Sequence, residues 1–231
     1  DRCKTVIGPA SNKVIEEGEI VQIGCSPSFE GYKGVCRRSF VMGKRSELQK
    51  AYFDCMNEAY RRAEQEIYHV CQGNLPSNRI DLAARNYFAS QEIGGRNMKQ
   101  FHFYSTCHGT GLTECLEPMV ITPDKEEPYG ENVGIMLDLG CYGYPNTEIA
   151  GGCVEDAYIK RGRTAVKCSD MPVDVQITLL RVLQNREVRR IGASKALRID
   201  VRVITATNRD LEQLVDSKVF REDLFYRINV F

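Results

Sequence analysis

The sequence predicts an α+β fold over residues 1–168, followed by a partial α/β segment over residues 170–231. Strand-like apolar runs open and close the first part, and a long stretch between them repeats its apolar residues at helical spacing. All ten cysteines lie between Cys3 and Cys168. The charge balance shifts at the same point: from Val173 onward nine Arg and two Lys face five Asp and three Glu, a net of +3, against −3 before it.

Taken in order, Lys4 to Ile7, Ile20 to Cys25 after the Glu17-Gly18 turn, and Tyr32 to Met42 after the Glu30-Gly31 turn read as strands. Ser46 with Gln49 is a capping-box pattern, and Leu48, Tyr52, Cys55, Ala59, Ala63, Ile67 and Val70 carry a helix to a stop at Gly73. A second helix is expected from Asn78, with Asp81 in its first turn, to Gly94-Gly95. A strand over Gln100 to Ser105, a glycine-punctuated loop from His108 to Gly111 and a polar loop from Pro123 to Asn132 follow. Strands come next at Val133 to Leu139 and Ile149 to Lys160, and Arg161-Gly162-Arg163 turns the chain into Thr164 to Lys167. Beyond the last cysteine, Val175 to Leu183 and Leu211 to Val219 have helical spacing, and Ile199 to Ile204 reads as a buried strand. Ile20 to Cys25 with Gly31-Tyr32 echoes Gly134 to Leu139 with Gly143-Tyr144, which suggests two similar strand-and-turn units in one sheet.

Composition narrows the function classes. Thirty-one basic and 31 acidic residues cancel, so no overall field favours nucleic acid or a membrane surface. No apolar run approaches the roughly 20 residues of a membrane span, and Asp1-Arg2-Cys3-Lys4 is not the start of a secretory leader. The expectation is a cytoplasmic protein with no membrane partner and no direct nucleic-acid binding. There is no Cys-x-x-Cys, which weakens a zinc ribbon or a redox dithiol and leaves the cysteines as reduced, small apolar core residues.

Val21-Gln22-Ile23-Gly24, Glu30-Gly31-Tyr32, Arg38-Ser39-Phe40, His108-Gly109-Thr110-Gly111-Leu112, Glu117-Pro118, Met136-Leu137-Asp138-Leu139-Gly140 and Val154-Glu155-Asp156 follow one another with a telling spacing. In order and spacing, residues 1–168 resemble the pita-bread metallopeptidases: methionine aminopeptidase, aminopeptidase P, prolidase and their relative creatinase. The resemblance implies a pita-bread fold that lacks its start. In that family Asp, Asp, His, Glu and Glu hold two divalent metals, which lower the pKa of a bridging water for attack on an amide. Here the first aspartate falls on Gly24 and the second on Val35, while His108, Asp138 and Glu155 stand at three ligand positions and Leu116 replaces a second family histidine.

The implied function is therefore an Xaa-Pro peptidase or prolidase-like domain, weak or inactive, which binds a peptide or small amide. Its residual metal site would be His108, Asp138 and Glu155, holding one divalent ion (Mn, Zn or Co) weakly. The resemblance leaves open a metal-free amide or amidine hydrolase of creatinase type, with His108 as general acid/base and Glu117 or Glu155 orienting the substrate. His102 is a further candidate for the cleft, and His69 is expected on a helix surface. The residues alone also allow a plainer arrangement, with His108 bonded to backbone and both carboxylates meeting Lys or Arg.

Met171 to Gln176, Leu179 to Gln184, Val201 to Leu211 and Phe220 to Arg227 belong to a different pattern. They resemble a fragment of the AAA+ module of sigma-54 activators. By that resemblance Asn208 reads the γ-phosphate, and Arg221 and Arg227 face a neighbouring subunit's nucleotide. Gly-x-x-x-x-Gly-Lys-Ser/Thr does not occur, and Ala165-Val166-Lys167-Cys168 stands where the family has an acidic strand, so no ATP binding in cis is expected. Docking on intact AAA+ activator subunits is the partner this implies. The first resemblance lacks its start and the second its ATP-binding core, which suggests a rearranged or misassembled sequence or an engineered chimera as readily as a natural gene product.

Overall fold

The computed structural model describes residues 13–26, 28–29, 32–111, 119–146, 148–168, 173–188, 195–200 and 210–228. The chain divides into two units, Asp1–Ser169 and Asp170–Phe231.

In the first unit the chain begins with β1 (Ile20–Cys25), a short hairpin of β2 (Ser28–Phe29) and β3 (Tyr32–Lys33), and β4 (Cys36–Val41). The strand expected from Tyr32 to Met42 is thus broken in two, β3 pairing with β2 and β4 with β1. Helices α1 (Glu47–Gly73) and α2 (Asn78–Ala89) follow. Then come the hairpin β5 (Glu92–Ile93) and β6 (Arg96–Asn97), a 3₁₀ turn over Met98–Phe101, β7 (Cys107–Thr110), β8 (Val120–Ile121), β9 (Gly134–Asn146), β10 (Ile149–Arg161) and β11 (Thr164–Lys167). The main sheet runs β1-β4-β10-β9-β7-β8, with β11 paired to β10, and its ladders are antiparallel. β1 and β9, whose sequences echo, each form a long antiparallel pair in this sheet.

α1 starts on a complete capping box: the Ser46 hydroxyl accepts from Gln49 N–H, and Gln49 Oε1 accepts from Ser46 N–H. It ends at Gly73, the expected stop, and Asn74 caps it with a left-handed φ of 50°. Its apolar face buries Tyr52, Met56, Ala59, Tyr60, Ala63 and Ile67 in one core with Ile135, Leu137, Leu139 and Cys141 of β9 and Val154 and Tyr158 of β10. Full burial of the larger aliphatic side chains among them, such as Met56, Ile67, Ile135 and Leu137, stabilises by about 1.5–3 kcal/mol each. Because strand side chains alternate, Met136 and Asp138, and Cys153, Glu155 and Ala157, point to the opposite face. Five of the described cysteines (Cys55, Cys71, Cys107, Cys141 and Cys153) are free and buried.

Several local expectations give way to packing. α2 ends at Ala89, and Gly94-Gly95 instead forms the turn of the β5–β6 hairpin, with φ of 54° and 71°. The strand expected over Gln100 to Ser105 does not form: the 3₁₀ turn runs to Phe101, its three-residue repeat putting Met98 and Phe101 into the core together, and irregular backbone follows over 102–105. His108 lies on a strand, since Cys107 to Thr110 pair with β9. The strand read at Lys4 to Ile7 falls outside the described residues.

The second unit contains α3 (Val173–Asn185), the pair β12 (Glu187–Val188) and β13 (Leu197–Arg198), α4 (Leu211–Asp216) and α5 (Glu222–Ile228). Buried Gln176 of α3 ties the α4–α5 turn: its amide donates to Val219 O at 3.0 Å and its carbonyl accepts from Arg221 N–H at 2.8 Å. Asp210 caps α4 by accepting from Gln213 N–H. α4 is shorter than the periodicity suggests because the chain turns at Ser217 and Lys218, the latter at a φ of 61°. Ile199 and Asp200 lie outside regular structure, and the rest of the strand expected there lies outside the described residues. No helix among the described residues is long and apolar enough to cross a membrane.

Candidate functional site

The sheet face away from α1 carries one charged row across four adjacent strands. Gly24 lies opposite Arg37, Arg37 opposite Glu155, and Glu155 opposite Asp138. One row over, His108 of β7 lies opposite Met136, itself opposite Ala157. From there the imidazole reaches both carboxylates: Nε2 is 3.6 Å from Glu155 Oε1 and 3.8 Å from Asp138 Oδ2. One ligand atom from each of His108, Asp138 and Glu155 lies within 4.8 Å of the other two.

Two carboxylates directly opposed across a ladder repel each other, and burial sharpens the repulsion. Their surroundings separate them. Burial works against a charge on Asp138, yet His108, the Cys153 thiol and Arg37 outweigh it and hold the carboxyl below its ordinary range. Cys153 Sγ and Tyr104 Oη each lie 3.0 Å from Asp138 Oδ1. Glu155 is raised, by burial first and by Asp138 in addition, with His108 and Arg37 only partly compensating. Its Oε2 is buried without a hydrogen-bond partner, although Arg37 Nη2 stands 3.4 Å away. His108 is pushed up to about 10, because the two carboxylates more than offset the burial that opposes its charge.

An imidazole and two carboxylates are a donor set that suits a borderline divalent ion, and the orphaned Glu155 oxygen is available to a ligand. The site fits one such ion. Among the described residues, the two positions where the family carries aspartates offer nothing to a second, since Gly24 has no side chain and Val35 packs with Met136 and Ala157 in an apolar cluster.

His102 is not part of this group. It is buried, with Nδ1 bonded to Gly140 O at 2.8 Å and Nε2 to Thr106 Oγ1 at 3.0 Å, and it braces β9 two residues beyond Asp138. His69 is exposed on α1 beside Glu66. Glu117, Leu116 and Asn208 lie outside the described residues. Arg221 grips Asp223 through Nε at 2.9 Å and Nη2 at 2.6 Å, and Arg227 donates to Leu183 O at 3.2 Å. Arg37, Tyr104 and Cys153 were not singled out from the sequence. Arg37 comes to stand beside Gly24 only through the β1–β4 pairing.

The antiparallel sheet backed by α1 and α2 is the pita-bread architecture. It superposes on the prolidase from Pyrococcus furiosus with a TM-score of 0.58 and 23% identity, covering 71% of this chain and 45% of that one. The X-Pro aminopeptidase from Thermotoga maritima gives a TM-score of 0.61 and 23% identity over 74% of this chain and 45% of that one. Residues 2–173 match the family model of metallopeptidase family M24, and the chain belongs to that family. Residues 166–231 match the sigma-54 interaction domain. Here the chain is similar to the DNA-binding transcriptional activator HyfR of Escherichia coli, 58% identical over 62 residues, 27% of this chain and 9% of that protein. It is also similar to nitrogen fixation protein AnfA of Azotobacter vinelandii, 48% identical over 82 residues, 35% of this chain and 15% of that protein. The chain therefore spans less than half the length of the proteins it matches.

Proposed function

We propose that the first unit is a degenerate prolidase-like cleft that binds a peptide or small amide, holds one divalent ion weakly and has little or no peptidase turnover. The observation that carries this reading is the convergence of His108, Asp138 and Glu155 within 4.8 Å beside Gly24 and Val35, which supply no oxygen. A bound ion at these residues would supply Lewis-acid polarisation of an amide carbonyl. The chain's own groups do the rest. With no ion bound, protonated His108 presents an N–H at Nε2 to a ligand oxygen or leaving nitrogen, ionised Asp138 anchors that imidazole, and Glu155 Oε2 accepts an N–H from the ligand; an ion held by His108 would require that proton to leave.

The test is hydrolysis of an Xaa-Pro dipeptide and of creatine by the purified chain, with Mn²⁺ or with EDTA, beside His108→Ala. Xaa-Pro turnover should stay near the His108→Ala background, while dipeptide plus Mn²⁺ raises the melting temperature. Brisk Mn²⁺-dependent Xaa-Pro hydrolysis would contradict the reading. EDTA-resistant hydrolysis of creatine lost in His108→Ala would favour the metal-free alternative, which the His–carboxylate contacts also support.

For the second unit, the likeness to activator segments supports docking on an intact AAA+ activator subunit with no nucleotide held in cis. Nucleotide-dependent co-elution with such a subunit, lost in Arg221→Ala, tests it; ATP turnover above a mock purification would count against it. The free buried cysteines support a cytoplasmic location. The division between the two parts falls near Ser169, and sequencing the locus across that point tests whether the join is natural.

A further inference from the structure

Arg37 stands at the centre of the charged row, and its surroundings are specific. A Cβ on Gly24 would lie 3.3 Å from Arg37 Nε, 3.6 Å from its Cγ and 3.9 Å from its Cδ, so the arginine lies over the space that the missing side chain leaves. Its far end reaches the Glu155 oxygen that has no hydrogen-bond partner, with Nη2 at 3.4 Å. The Arg37 side chain is only 10% exposed. A guanidinium keeps its proton at any working pH, so its charge is permanent. That charge needs a carboxylate, and Glu155 is the carboxylate it faces.

We propose that Arg37 is a built-in counter-ion that competes with a divalent ion for Glu155 and sets the site against tight metal binding. An ion among His108, Asp138 and Glu155 would have to displace this guanidinium or sit a few ångströms from it, and like charges that close in a partly buried cleft repel strongly. The arrangement also explains why Gly24 suits the site: a side chain there would contest the place that Arg37 occupies. This inference rests on reading His108, Asp138 and Glu155 as the cation site.

Its test is titration of Mn²⁺ into the full chain by calorimetry, for wild type, Arg37→Met, Arg37→Gln, Arg37→Lys, Glu155→Gln and Arg37→Met with Glu155→Gln. Circular dichroism shows which variants fold, and two uncharged variants are carried so that failure of one leaves the other to decide. Arg37→Met or Arg37→Gln should tighten Mn²⁺ binding by about tenfold or more, Arg37→Lys should leave it near wild type, and the gain should vanish with Glu155→Gln. Unchanged affinity without the arginine overturns the proposal; if wild type still binds and Glu155→Gln does not, the site reading survives that failure. Absence of binding in every chain overturns both. Equal tightening by Arg37→Lys would make the effect one of size, and a gain that persists in the double variant would place the ion elsewhere; either result overturns the proposal.

Discussion

Beneath α1, Asp156 is fully buried and holds two cations. Its carboxylate accepts from Tyr60 Oη at 2.6 Å and Arg38 Nη2 at 2.7 Å, and Lys167 Nζ lies 3.2 Å away. Asp156→Asn keeps the shape and an acceptor for Tyr60 but removes the charge. Taking one partner from a buried ion pair costs about 3–5 kcal/mol. Arg38 is 21% exposed and Lys167 keeps Glu64 at 2.9 Å, so the expected loss is at the low end, about 3 kcal/mol. Glu58, on the outer face of α1, is the control: Arg61 and Arg62 each approach it to 2.7 Å, and hydrogen bonds from Arg61 and then Arg62 pull its carboxyl down to about 2 against burial. Those arginines are half exposed, so Glu58→Gln should cost only about 0.5 kcal/mol. The chain has no tryptophan, so urea unfolding is followed by circular dichroism and tyrosine emission. A loss below about 1 kcal/mol for Asp156→Asn, or equal losses for the two variants, would refute the claim that burial sets the difference.

His102 folds neutral, its titration held below the ordinary 6.5 by burial, with Nδ1–H donating to Gly140 O and Nε2 accepting from Thr106. The unfolded chain therefore binds a proton that the folded chain refuses. This contribution is intact above about pH 6.5 and lost as the pH falls below it, by up to about 1.4 kcal/mol per unit. Urea midpoints at pH 7.5 and 5.5 should show a smaller acid loss in His102→Gln than in wild type. Gly140→Ala puts a Cβ 2.5 Å from Tyr104 Oη, 2.6 Å from Tyr142 Cε2 and 3.0 Å from Gly152 O, an overpacking worth about 1–3 kcal/mol; an unchanged melting temperature would show that the tyrosines yield freely. Gln49→Ala removes one half of the capping box and the amide bonds to Gly18 O at 2.7 Å and Glu148 O at 3.0 Å, and should cost about 1–3 kcal/mol by thermal denaturation.

What could be read from the sequence follows the range of the physics involved. α1 was legible because its cap and apolar stripe are local signals, and both appear in the structure. The glycines of His108-Gly109-Thr110-Gly111 suggested a loop, but pairing with β9 overrides that preference, as packing context does in sheets. Gly94-Gly95 was read as a helix stop because a turn signal does not say what it joins. In the site, His108, Asp138 and Glu155 were legible only through the family pattern, and no spacing along the chain brings them together. Arg37 was missed because its role comes from register. Cys25 opposite Cys36 sets Gly24 opposite Arg37, and β10 then delivers Glu155, far along the chain, to the other side. Both the clustered ligands and the plainer carboxylate–arginine pairing are present at Glu155.

His108, Asp138 and Glu155 are proposed to hold one ion and no more. Equilibrium dialysis of the full chain against millimolar Mn²⁺, with bound metal counted by mass spectrometry, tests it most directly. Wild type should plateau at one equivalent per chain, and His108→Ala should bind none. A plateau at two equivalents that His108→Ala abolishes, or one that His108→Ala leaves untouched, would contradict it.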